Sequence, residues 1–226
     1  MTMFHVKHHI TLDDLYNFLQ AQGIHINTNQ IDKFKRYIDL IKSWSMRQNL
    51  VSRNDLPDLV EKHILPSLML DYVISWKKNS TVLDVGSGAG FPGLILKVMQ
   101  PHIELTLVDS VRKKYLFLIE ACELLSFTCT VINQRVEDFK LIRPKKFDIV
   151  VCRAVAELGT FWMWVREMLI PAGHLYALKG GDYIREVDDI NDNAIKIEII
   201  KPAKAWIDFS PGLQSKRVIN VEKING

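Results

Sequence analysis

The sequence predicts an α/β protein, in which a mostly parallel sheet is covered by helices on both faces and preceded by a helical extension. Apolar runs of strand length alternate with helical stretches after residue 80, which is typical of a parallel sheet. Before that residue the periodicity is helical throughout. The composition agrees, because 48% hydrophobic and 24% charged residues exclude a disordered chain or a collagen-like fibre.

Region 1–78 is predicted to form a helical cap. Thr11 and Asp14 have the spacing of a capping box at the start of a first helix. Apolar residues at helical spacing predict a second helix from Thr28 and a third from about Pro57, whose ring suits a first turn. The cap is therefore expected to contain three helices.

Region 79–226 is predicted to form the sheet domain. The five expected parallel strands are residues 81–85, 104–108, 128–132, 147–152 and 174–179. The helical stretches between them include residues 94–99, 112–125 and 161–169. Two further strands, 195–201 and 216–224, are joined by a segment that is expected to be a loop with no room for a helix. Such a pair should be antiparallel and end the sheet as a hairpin.

Charge, cysteines and hydropathy limit the classes of partner. The formal net charge of +3 lacks the basic excess of a protein that coats nucleic acid, so a polyanion must be met by a local patch. Three cysteines without Cys-x-x-Cys spacing predict neither a disulfide framework nor a metal site. No apolar run approaches the roughly 18 residues of a membrane helix. We expect a cytoplasmic protein that does not enter a membrane, and we favour a monomer.

The most informative motif is the glycine-rich segment 84–93 (DVGSGAGFPG) between the first strand and the next helix. Gly86, Gly88 and Gly90 allow a sharp turn and a close approach of a ligand. Asp109 ends the second strand, 19 residues after Gly90, where a carboxylate can accept the hydroxyls of an adenosyl ribose. A tight turn without a ligand is the alternative interpretation of the glycines.

The residues after the third glycine distinguish between cofactors. Phe91 and Pro92 stand where a dinucleotide fingerprint has a variable residue and then a third small residue. Pro92 permits a helix to start, but it lacks the small side chain that allows close packing over a pyrophosphate. S-adenosylmethionine has no pyrophosphate, so the motif favours it over a dinucleotide.

Several segments in the same order carry a resemblance to a known family. They are the loop 84–93 and residues 107–125, 135–139, 152–158 and 177–181, with 49–52 and 61–68 upstream. Together they resemble the RsmG family, also called GidB or glucose-inhibited division protein B. Members of that family are bacterial methyltransferases that use S-adenosylmethionine to methylate N7 of a guanine in 16S ribosomal RNA. The resemblance covers the chain from about residue 30 to its end.

The resemblance implies a fold, a cofactor and a partner. The fold is that of class I S-adenosylmethionine-dependent methyltransferases: Rossmann-like, with a seven-stranded, mostly parallel sheet, an antiparallel terminal hairpin and here an N-terminal helical extension. The cofactor is S-adenosylmethionine, and the partner is 16S ribosomal RNA or a small-subunit particle. The expected cofactor-binding residues are Gly86, Gly88, Gly90, Phe91, Asp109, Ser110, Val136, Glu137 and Arg153. Val136 and Glu137 would frame the adenine, although Glu137 could also be a solvated loop acid.

Two cations at strand ends are candidates for positioning. Arg153 follows the run 147–152, so its guanidinium should reach the crevice and hold a carboxylate or a phosphate. The methionine carboxylate, the RNA backbone and Glu157, four residues on, are the possible partners. Lys179 ends the fifth strand, where it either faces substrate phosphates or marks an exposed strand end.

The cap contributes further candidates. Asn49 and Trp44 are expected near the crevice, and His63 is interpreted as a core or interface histidine. Pro66 should kink or restart the third helix. It stands where the family carries an acid, so no role of the local helix geometry is carried over from the family.

The implied reaction needs no general base, because N7 attacks with a lone pair that carries no proton. Desolvation and alignment should therefore dominate. No residue is assigned as an acid or base, and Asn49, Arg153 and Lys179 are the candidates for positioning.

Recognition of a guanine in RNA requires an unstacked base and cations for the flanking phosphates. Three basic groups are candidates, and each could equally be a solvated surface. They are Lys33, Lys35, Arg36, Lys42, Arg47 and Arg53 in the cap, Arg112, Lys113 and Lys114 after the second strand, and Lys216 and Arg217 in the hairpin. The aromatic run Phe161, Trp162 and Trp164 is interpreted as core packing of a covering helix.

Three other functions stay open at this point. A methyltransferase acting on a small molecule is favoured by the nearly balanced charge. A module that binds S-adenosylmethionine without turnover is the second, and a nicotinamide-dependent dehydrogenase is a more distant third.

Overall fold

A computed structural model describes residues 9–142, 146–190 and 192–224, with the side chains of residues 140–142 excepted. The strands are β1 (Thr81–Val85), β2 (Glu104–Val108), β3 (Thr130–Ile132), β4 (Phe147–Arg153), β5 (Leu169–Gly180), β6 (Ile195–Ile200) and β7 (Lys216–Lys223). The α-helices are α1 (Leu12–Ala21), α2 (Thr28–Arg47), α3 (Leu65–Val73), α4 (Gly93–Met99), α5 (Arg112–Leu125), α6 (Val136–Ile142), α7 (Leu158–Val165), α8 (Tyr183–Asp188) and α9 (Lys204–Phe209).

The strands form one sheet in the order β3-β2-β1-β4-β5-β7-β6. Strands β1 to β5 pair in parallel, whereas β7 pairs antiparallel with both β5 and β6. The predicted seven-stranded, mostly parallel sheet with an antiparallel terminal hairpin is confirmed. The chain reverses its winding between β1 and β4, so a crevice opens at their carboxyl ends.

Alternate side chains of the strands supply one apolar core on each face of the sheet. Val82 and Val151 belong to the core under α1–α5, whereas Leu83 and Val150 belong to the core under α6 and α7. The expected covering of both faces is confirmed. Burial on both faces explains why these strands have nearly continuous apolar sequences.

The first helices pack into the same core as the helices of the sheet region. Phe34, Tyr37 and Ile41 of α2 are fully buried in a cluster with Leu94 of α4 and Phe117 of α5. This packing fixes the cap against the two helices that follow β1 and β2, which are the strands that carry the glycine loop and Asp109. The division into a cap (1–78) and a sheet domain (79–226) stays a prediction.

Two cap cations end a helix of the sheet region. Lys33 donates to the carbonyl of Leu125, and Arg36 donates to that of Leu124, at the carboxyl end of α5. These are carbonyls that a helix leaves without an intrahelical partner. Their ammonium and guanidinium groups are therefore engaged in a helix cap.

The capping box at the start of α1 is confirmed. The backbone N–H of Asp14 donates to Oγ1 of Thr11 at 3.1 Å, and the backbone N–H of Thr11 donates to the Asp14 carboxylate at 2.9 Å. The start of the second helix at Thr28 is also confirmed, with Asn27 as its N-cap.

The third predicted helix consists of turns of different pitch. Residues Arg53–Asp58, which include Pro57, form a 3-10 turn, and residues Val60–Ile64 form a π-helical turn that leads directly into α3. A helical segment is therefore present where one was predicted from about Pro57, but it begins at Arg53 and has no uniform pitch. The restart at Pro66 is confirmed, because Pro66 lies in the first turn of α3. Lacking an N–H, Pro66 cannot donate to the carbonyl four residues earlier.

The segment between β6 and β7 contains the helix α9, so the expectation of a loop with no room for a helix is wrong. Trp206 is only 1% exposed, and its ring meets Phe18 of α1 edge-on at 5.2 Å. The ring of Phe209 stacks on that of Phe18 at 4.2 Å. Six residues are too few to show a helical period, and this helix is held by tertiary contacts with α1.

Candidate functional site

A cavity of about 270 Å³ opens at the carboxyl ends of β1, β2 and β4, where the winding of the sheet reverses. Its walls come from the connections that follow β1, β2, β3 and β4. Five predicted cofactor residues line it, namely Gly86, Asp109, Ser110, Val136 and Glu137. The structure thus brings together side chains and backbone from three separate motifs, as the positions at strand ends require.

Asp109 is the principal anion of the cavity. Its side chain is 4% exposed, and its two carboxylate oxygens accept the N–H groups of Gly88 at 2.9 Å and of Val111 at 2.8 Å. Nζ of Lys114 lies 3.8 Å from Oδ2. Each carboxylate oxygen can accept more than one hydrogen bond, so Asp109 retains capacity for hydroxyl groups of a ligand.

The glycine loop adopts the backbone conformation that its sequence predicts. Gly86, Gly88 and Gly90 have φ values of 67°, 58° and 85°, in the left-handed region that favours glycine. A Cβ on Gly86 would lie 2.7 Å from Cγ2 of Val155. Glycine at residue 86 therefore permits both the turn and the close approach of the loop that follows β4.

Three other loop residues predicted to bind the cofactor lie behind the cavity wall. Gly88 supplies the N–H that Asp109 accepts. A Cβ on Gly90 would lie 2.7 Å from the hydroxyl of Tyr37, and the ring of Phe91 lies 5.6 Å from that of Tyr37. Gly90 and Phe91 thus face the cap, and their contact with a cofactor stays a prediction.

The connection after β3 carries Val136 and Glu137, the two residues predicted to frame the adenine. Val136 is 5% exposed, and Glu137 follows it as a half-buried residue in the first turn of α6. Ser110 lies exposed after Asp109 on the neighbouring connection. An apolar side chain beside two polar groups suits a flat heterocycle with polar edges, and the assignment of these residues to adenine stays a prediction.

Asp84 is a buried acid beneath the glycine loop. It is fully buried at the end of β1, and its Oδ2 accepts the N–H of Gly93 at 3.0 Å. Within the described part of the chain, its Oδ1 has no hydrogen-bond partner. Burial raises the pKa of Asp84 to about 7, although the Gly93 and Ser87 hydrogen bonds oppose that shift. Asp84 therefore pins the start of α4 rather than facing the cavity.

Arg153 turns toward the cap. Its guanidinium donates to the carbonyl of Lys62 at 2.8 Å and to Nδ1 of His63 at 3.2 Å. These groups, rather than Glu157, are its partners in the structure. Pro66 has no N–H to donate to the Lys62 carbonyl, so that carbonyl is left as an acceptor for Arg153. Binding of the cofactor by Arg153 stays a prediction.

A charged cluster supports this contact from the cap side. Lys62 pairs with the carboxylate of Asp55, and this ammonium holds the pKa of Asp55 below its ordinary value. Nε2 of His63 lies 3.6 Å from Asp55, and its ring lies 4.9 Å from that of Phe91. Burial, followed by the charge of Arg153, lowers the pKa of His63 to about 4. His63 is therefore a neutral interface histidine.

Lys179 is buried, so its interpretation as an exposed strand end is wrong. Its side chain is 8% exposed, and Nζ lies 2.5 Å from the carbonyl of Ala156 and 2.6 Å from Oε2 of Glu186. Burial of the ammonium is possible because the Ala156 carbonyl and the Glu186 carboxylate both accept hydrogen bonds from it.

Asn49 lies exposed just after α2. Trp44, in the last turn of α2, donates from its indole nitrogen to Glu120 at 2.9 Å and meets the ring of Phe117 edge-on at 5.6 Å. These contacts direct the end of α2 toward the start of α5, which follows β2. The helix thus brings Asn49 toward the edge of the sheet that carries the cavity, although Asn49 does not line it.

Sequence reasoning missed several residues of the cavity wall. Lys114, Gln134 and Arg135 line it beside the predicted residues. Trp164 also lines it and is half-buried, whereas Phe161 and Trp162 are buried as expected of a covering helix. The segment 135–139 pointed to this wall, but nothing in the spacing of the aromatic run separated Trp164 from its buried neighbours.

The described residues offer neither a metal-binding group nor a membrane span. They contain no group of three His, Cys, Asp or Glu side chains that could hold a metal ion. They also contain no helix long and apolar enough to cross a membrane.

The family model and the similar proteins all point to one family. Residues 30–204 match the model of the GidB family, described as rRNA small subunit methyltransferase G. Proteins named ribosomal RNA small subunit methyltransferase G are similar to this chain. The one from Christiangramia forsetii is 38% identical over 80% of this chain and 85% of its own length. The one from an Exiguobacterium species is 32% identical over 91% and 88%.

Solved structures show the fold. The plantazolicin methyltransferase BpumL in complex with SAH has a TM-score of 0.58 at 12% identity, over 88% of this chain and 100% of that one. The ribosomal protein L11 methylase from Lactobacillus delbrueckii subsp. bulgaricus has a TM-score of 0.56 at 15% identity, over 71% and 77%. Sequence, topology and cavity agree, and the chain belongs to the rRNA small subunit methyltransferase G family of S-adenosylmethionine-dependent methyltransferases.

Proposed function

We propose that this chain transfers a methyl group from S-adenosylmethionine to N7 of one guanine in 16S ribosomal RNA, by in-line displacement without a general base. Membership of the family supports methyl transfer to small-subunit rRNA. The observation that carries the proposal is the position of Asp109. Asp109 lines the cavity together with Gly86 of the glycine loop, which presents backbone and no side chain there.

The residues present fit S-adenosylmethionine. Asp109 retains acceptor capacity for the two ribose hydroxyls, and Val136 offers an apolar surface for the adenine. A Cβ at residue 86 would lie 2.7 Å from Cγ2 of Val155, so the close contact between the glycine loop and the loop after β4 depends on glycine. We assign the cofactor contacts to Gly86, Asp109, Ser110, Val136 and Glu137.

When bound, S-adenosylmethionine supplies a methyl group on a positively charged sulfur. The chain's own task is to exclude water and to hold the acceptor in line with the carbon–sulfur bond. No proton has to be moved, because N7 of guanine carries none. His63 agrees with this, because it is neutral and accepts a hydrogen bond from Arg153, so it is not placed as a general base for the substrate.

A second cavity at the same edge of the sheet is the proposed approach of the RNA. It has a volume of about 390 Å³, and Lys62, Arg153 and Lys216 contribute its cations. Asp55 and Glu61 also line it, so its charge is mixed. We propose that Arg153 and Asn49 position the acceptor from this side, with 16S ribosomal RNA or a small-subunit particle as the partner. We further propose that a cytoplasmic monomer performs the reaction, with the cap (1–78) beside the catalytic domain (79–226).

Transfer of label tests the proposal. The chain is incubated with methyl-labelled S-adenosylmethionine and, in separate reactions, unmethylated small-subunit particles, naked 16S rRNA and a mixture of small-molecule acceptors. Label in one of the two RNA-containing samples is expected. Absence of transfer to both would overturn the proposal.

The nearly balanced net charge of +3 favours a second candidate, methyl transfer to a small molecule. The salt dependence separates the two functions, because phosphate contacts release counterions. A steep fall of kcat/KM between low and moderate salt is expected for an RNA acceptor. A flat profile, with label in the small-molecule sample, would support the second candidate.

A further inference from the structure

The loop that follows β4 forms one wall of the cavity and has a constrained backbone. Ala154 has a φ of 51°, in the left-handed region, and Ala154 and Val155 both line the cavity. The side chain of Val155 occupies the space that a Cβ on Gly86 would need. A non-glycine residue in this conformation persists only where its surroundings hold it. The shape of the wall therefore depends on what fixes the loop from behind.

One ion pair fixes this loop at two points. Nζ of Lys179 lies 2.5 Å from the carbonyl of Ala156 and 2.6 Å from Oε2 of Glu186. The same carboxylate oxygen accepts the N–H of Leu158 at 2.8 Å. Lys179 is 8% exposed and Glu186 is 23% exposed, so each is poorly solvated and depends on the other. The pair thereby ties the end of β5 to the loop between β4 and α7.

Glu186 is contributed by a helix that lies at the surface and packs against the core under α6 and α7. None of the residues of α8 is buried, and α8 follows Gly180 and Gly181. Gly181 has a φ of 74° and no atom within 4 Å of the position of a Cβ. The guanidinium of Arg217 lies 5.4 Å from the ring of Tyr183, which is a second attachment. Tyr183 and Val187 also pack against the core under α6 and α7, so α8 holds Glu186 from its own side while Glu186 holds the loop.

We propose that Glu186 is a positioning residue for methyl transfer: with Lys179, it holds the loop 154–158 against the glycine loop and so sets the wall of the cofactor cavity. The inference rests on the proposed function, because it takes S-adenosylmethionine as the occupant of that cavity. It also gives Lys179 a role. Its ammonium serves the cofactor wall through Ala156, rather than the phosphates of the RNA.

Two substitutions of Glu186 and a control on the same helix test this inference. Glu186→Ala removes both contacts, whereas Glu186→Gln retains an oxygen that can accept the N–H of Leu158. Asp188→Asn removes one negative charge from an exposed residue of α8. Calorimetry measures the Kd for S-adenosylmethionine, steady-state kinetics measure kcat and the KM for rRNA, and the Tm without ligand checks the fold.

A KM-against-kcat split is the expected result. Glu186→Ala should weaken binding of S-adenosylmethionine about tenfold and lower kcat, because the wall shifts when its hydrogen bonds are lost. The KM for rRNA should stay within about twofold of its value in the unsubstituted chain. Glu186→Gln should recover part of the affinity, and Asp188→Asn should behave like the unsubstituted chain.

Each contrary outcome has a distinct meaning. If the unsubstituted chain binds S-adenosylmethionine and folded Glu186→Ala binds it equally well, the inference is overturned and the proposed function stands. A raised KM for rRNA with unchanged cofactor affinity would assign the ion pair to RNA binding and also overturn the inference. If Glu186→Ala does not fold, an unchanged Kd in Glu186→Gln overturns it. Failure of the unsubstituted chain to bind S-adenosylmethionine would overturn the proposed function itself.

Discussion

Charged residues lie at the carboxyl ends of three parallel strands, β2, β4 and β5, and they have two kinds of surroundings. At the end of β2, Asp109 is held by two backbone N–H groups and lines the cavity. At the ends of β4 and β5, Arg153 and Lys179 donate to protein carbonyls and to the side chains of His63 and Glu186. The first end is open to a ligand, whereas the other two are engaged with the protein.

The difference follows from hydrogen-bonding capacity. A carboxylate has about four acceptor positions, so two backbone donors position Asp109 and leave room for a ligand. A cation is positioned by the acceptors to which it donates, and for Arg153 and Lys179 those acceptors belong to the protein. A charge at the end of a parallel strand therefore indicates the edge where a ligand binds, but its partner depends on what the rest of the fold brings near it.

Removal of the carboxylate of Asp109 should give the largest effect on cofactor binding. Asp109→Ala removes the two hydrogen bonds that we propose to the ribose hydroxyls, each worth about 1.5 kcal/mol or more with a charged acceptor. Binding of S-adenosylmethionine should weaken about 100-fold. Calorimetry measures this, with Asp13→Ala in the exposed first turn of α1 as the control. An affinity within threefold of that of the unsubstituted chain would contradict the assignment of the β2 end.

Substitution of Arg153 should affect stability more than cofactor binding. Arg153→Met leaves the carbonyl of Lys62 and Nδ1 of His63 without their donor, which should lower the free energy of unfolding by about 2 kcal/mol. The Kd for S-adenosylmethionine should change less than threefold. Denaturant unfolding and calorimetry give the two quantities. Unchanged stability with a tenfold weaker Kd would instead show that the guanidinium holds the cofactor, as the sequence predicted.

A methyl group on Gly86 should disturb the contact between the glycine loop and the loop after β4. Gly86→Ala combines a φ of 67° with a Cβ placed 2.7 Å from Val155, so we expect about tenfold weaker binding of S-adenosylmethionine. Gly23→Ala is the matched control, because Gly23 has a φ of 73° and open space around it. The control should lose about 1 kcal/mol of stability and keep its cofactor affinity. Recovery of binding in Gly86→Ala with Val155→Ala would confirm the steric cause.

Acid should weaken the contact between Arg153 and the cap, because His63 takes up a proton. The folded pKa of about 4 lies below the ordinary value of 6.5, so the unfolded chain binds more protons between these two pH values. Stability from this residue is complete above pH 6.5 and is lost as the pH falls toward 4. Between pH 7 and pH 5.5 the loss should be about 1 kcal/mol. His63→Gln should remove this part of the pH dependence, and identical pH profiles of the two chains would contradict it.

The sequence predicted the sheet well because parallel strands are buried on both faces. The bounds 81–85 and 104–108 agree with β1 and β2, since each is a short apolar run between clear breaks. β5 begins five residues before the predicted 174, and its first part includes Pro171 and Gly173, which sequence rules place in turns. Of this first part only Leu169 pairs with β4, and residues 170–173 lie in a register shift where Ala172 has a φ of 55°, so the local preference for a turn persists there as an irregularity of the strand.

The helical cap was predicted less well, for a different reason. The turn at Val60–Ile64 has the pitch of a π-helix, and it carries Lys62 and His63, which contact Arg153 from 91 and 90 positions away in the sequence. No local pattern encodes that contact. The absent N–H of Pro66 was visible in the sequence, but its consequence for the Lys62 carbonyl required the structure.

The candidate site shows the same division. Gly86 and Asp109 could be placed from their motifs, because backbone turns and strand ends are local features. Trp164 and Lys114 could not be placed, because both lie on helix faces where a core residue, a surface residue and a wall residue share the same spacing. Glu186 became a candidate only when its contacts with Lys179 and Leu158 were known.

Identification of the methylated atom tests the central claim most directly. Small-subunit particles that lack the modification are treated with the chain and S-adenosylmethionine, and the 16S rRNA is then reduced with borohydride and cleaved with aniline, which breaks RNA at N7-methylguanine. We predict one cleavage site, present with the unsubstituted chain and absent with Asp109→Ala. Mass spectrometry of the nucleosides should show N7-methylguanosine in an amount that matches the fraction of RNA cleaved. Methyl label in the RNA at another atom or another base, without cleavage at a guanine, would contradict the account.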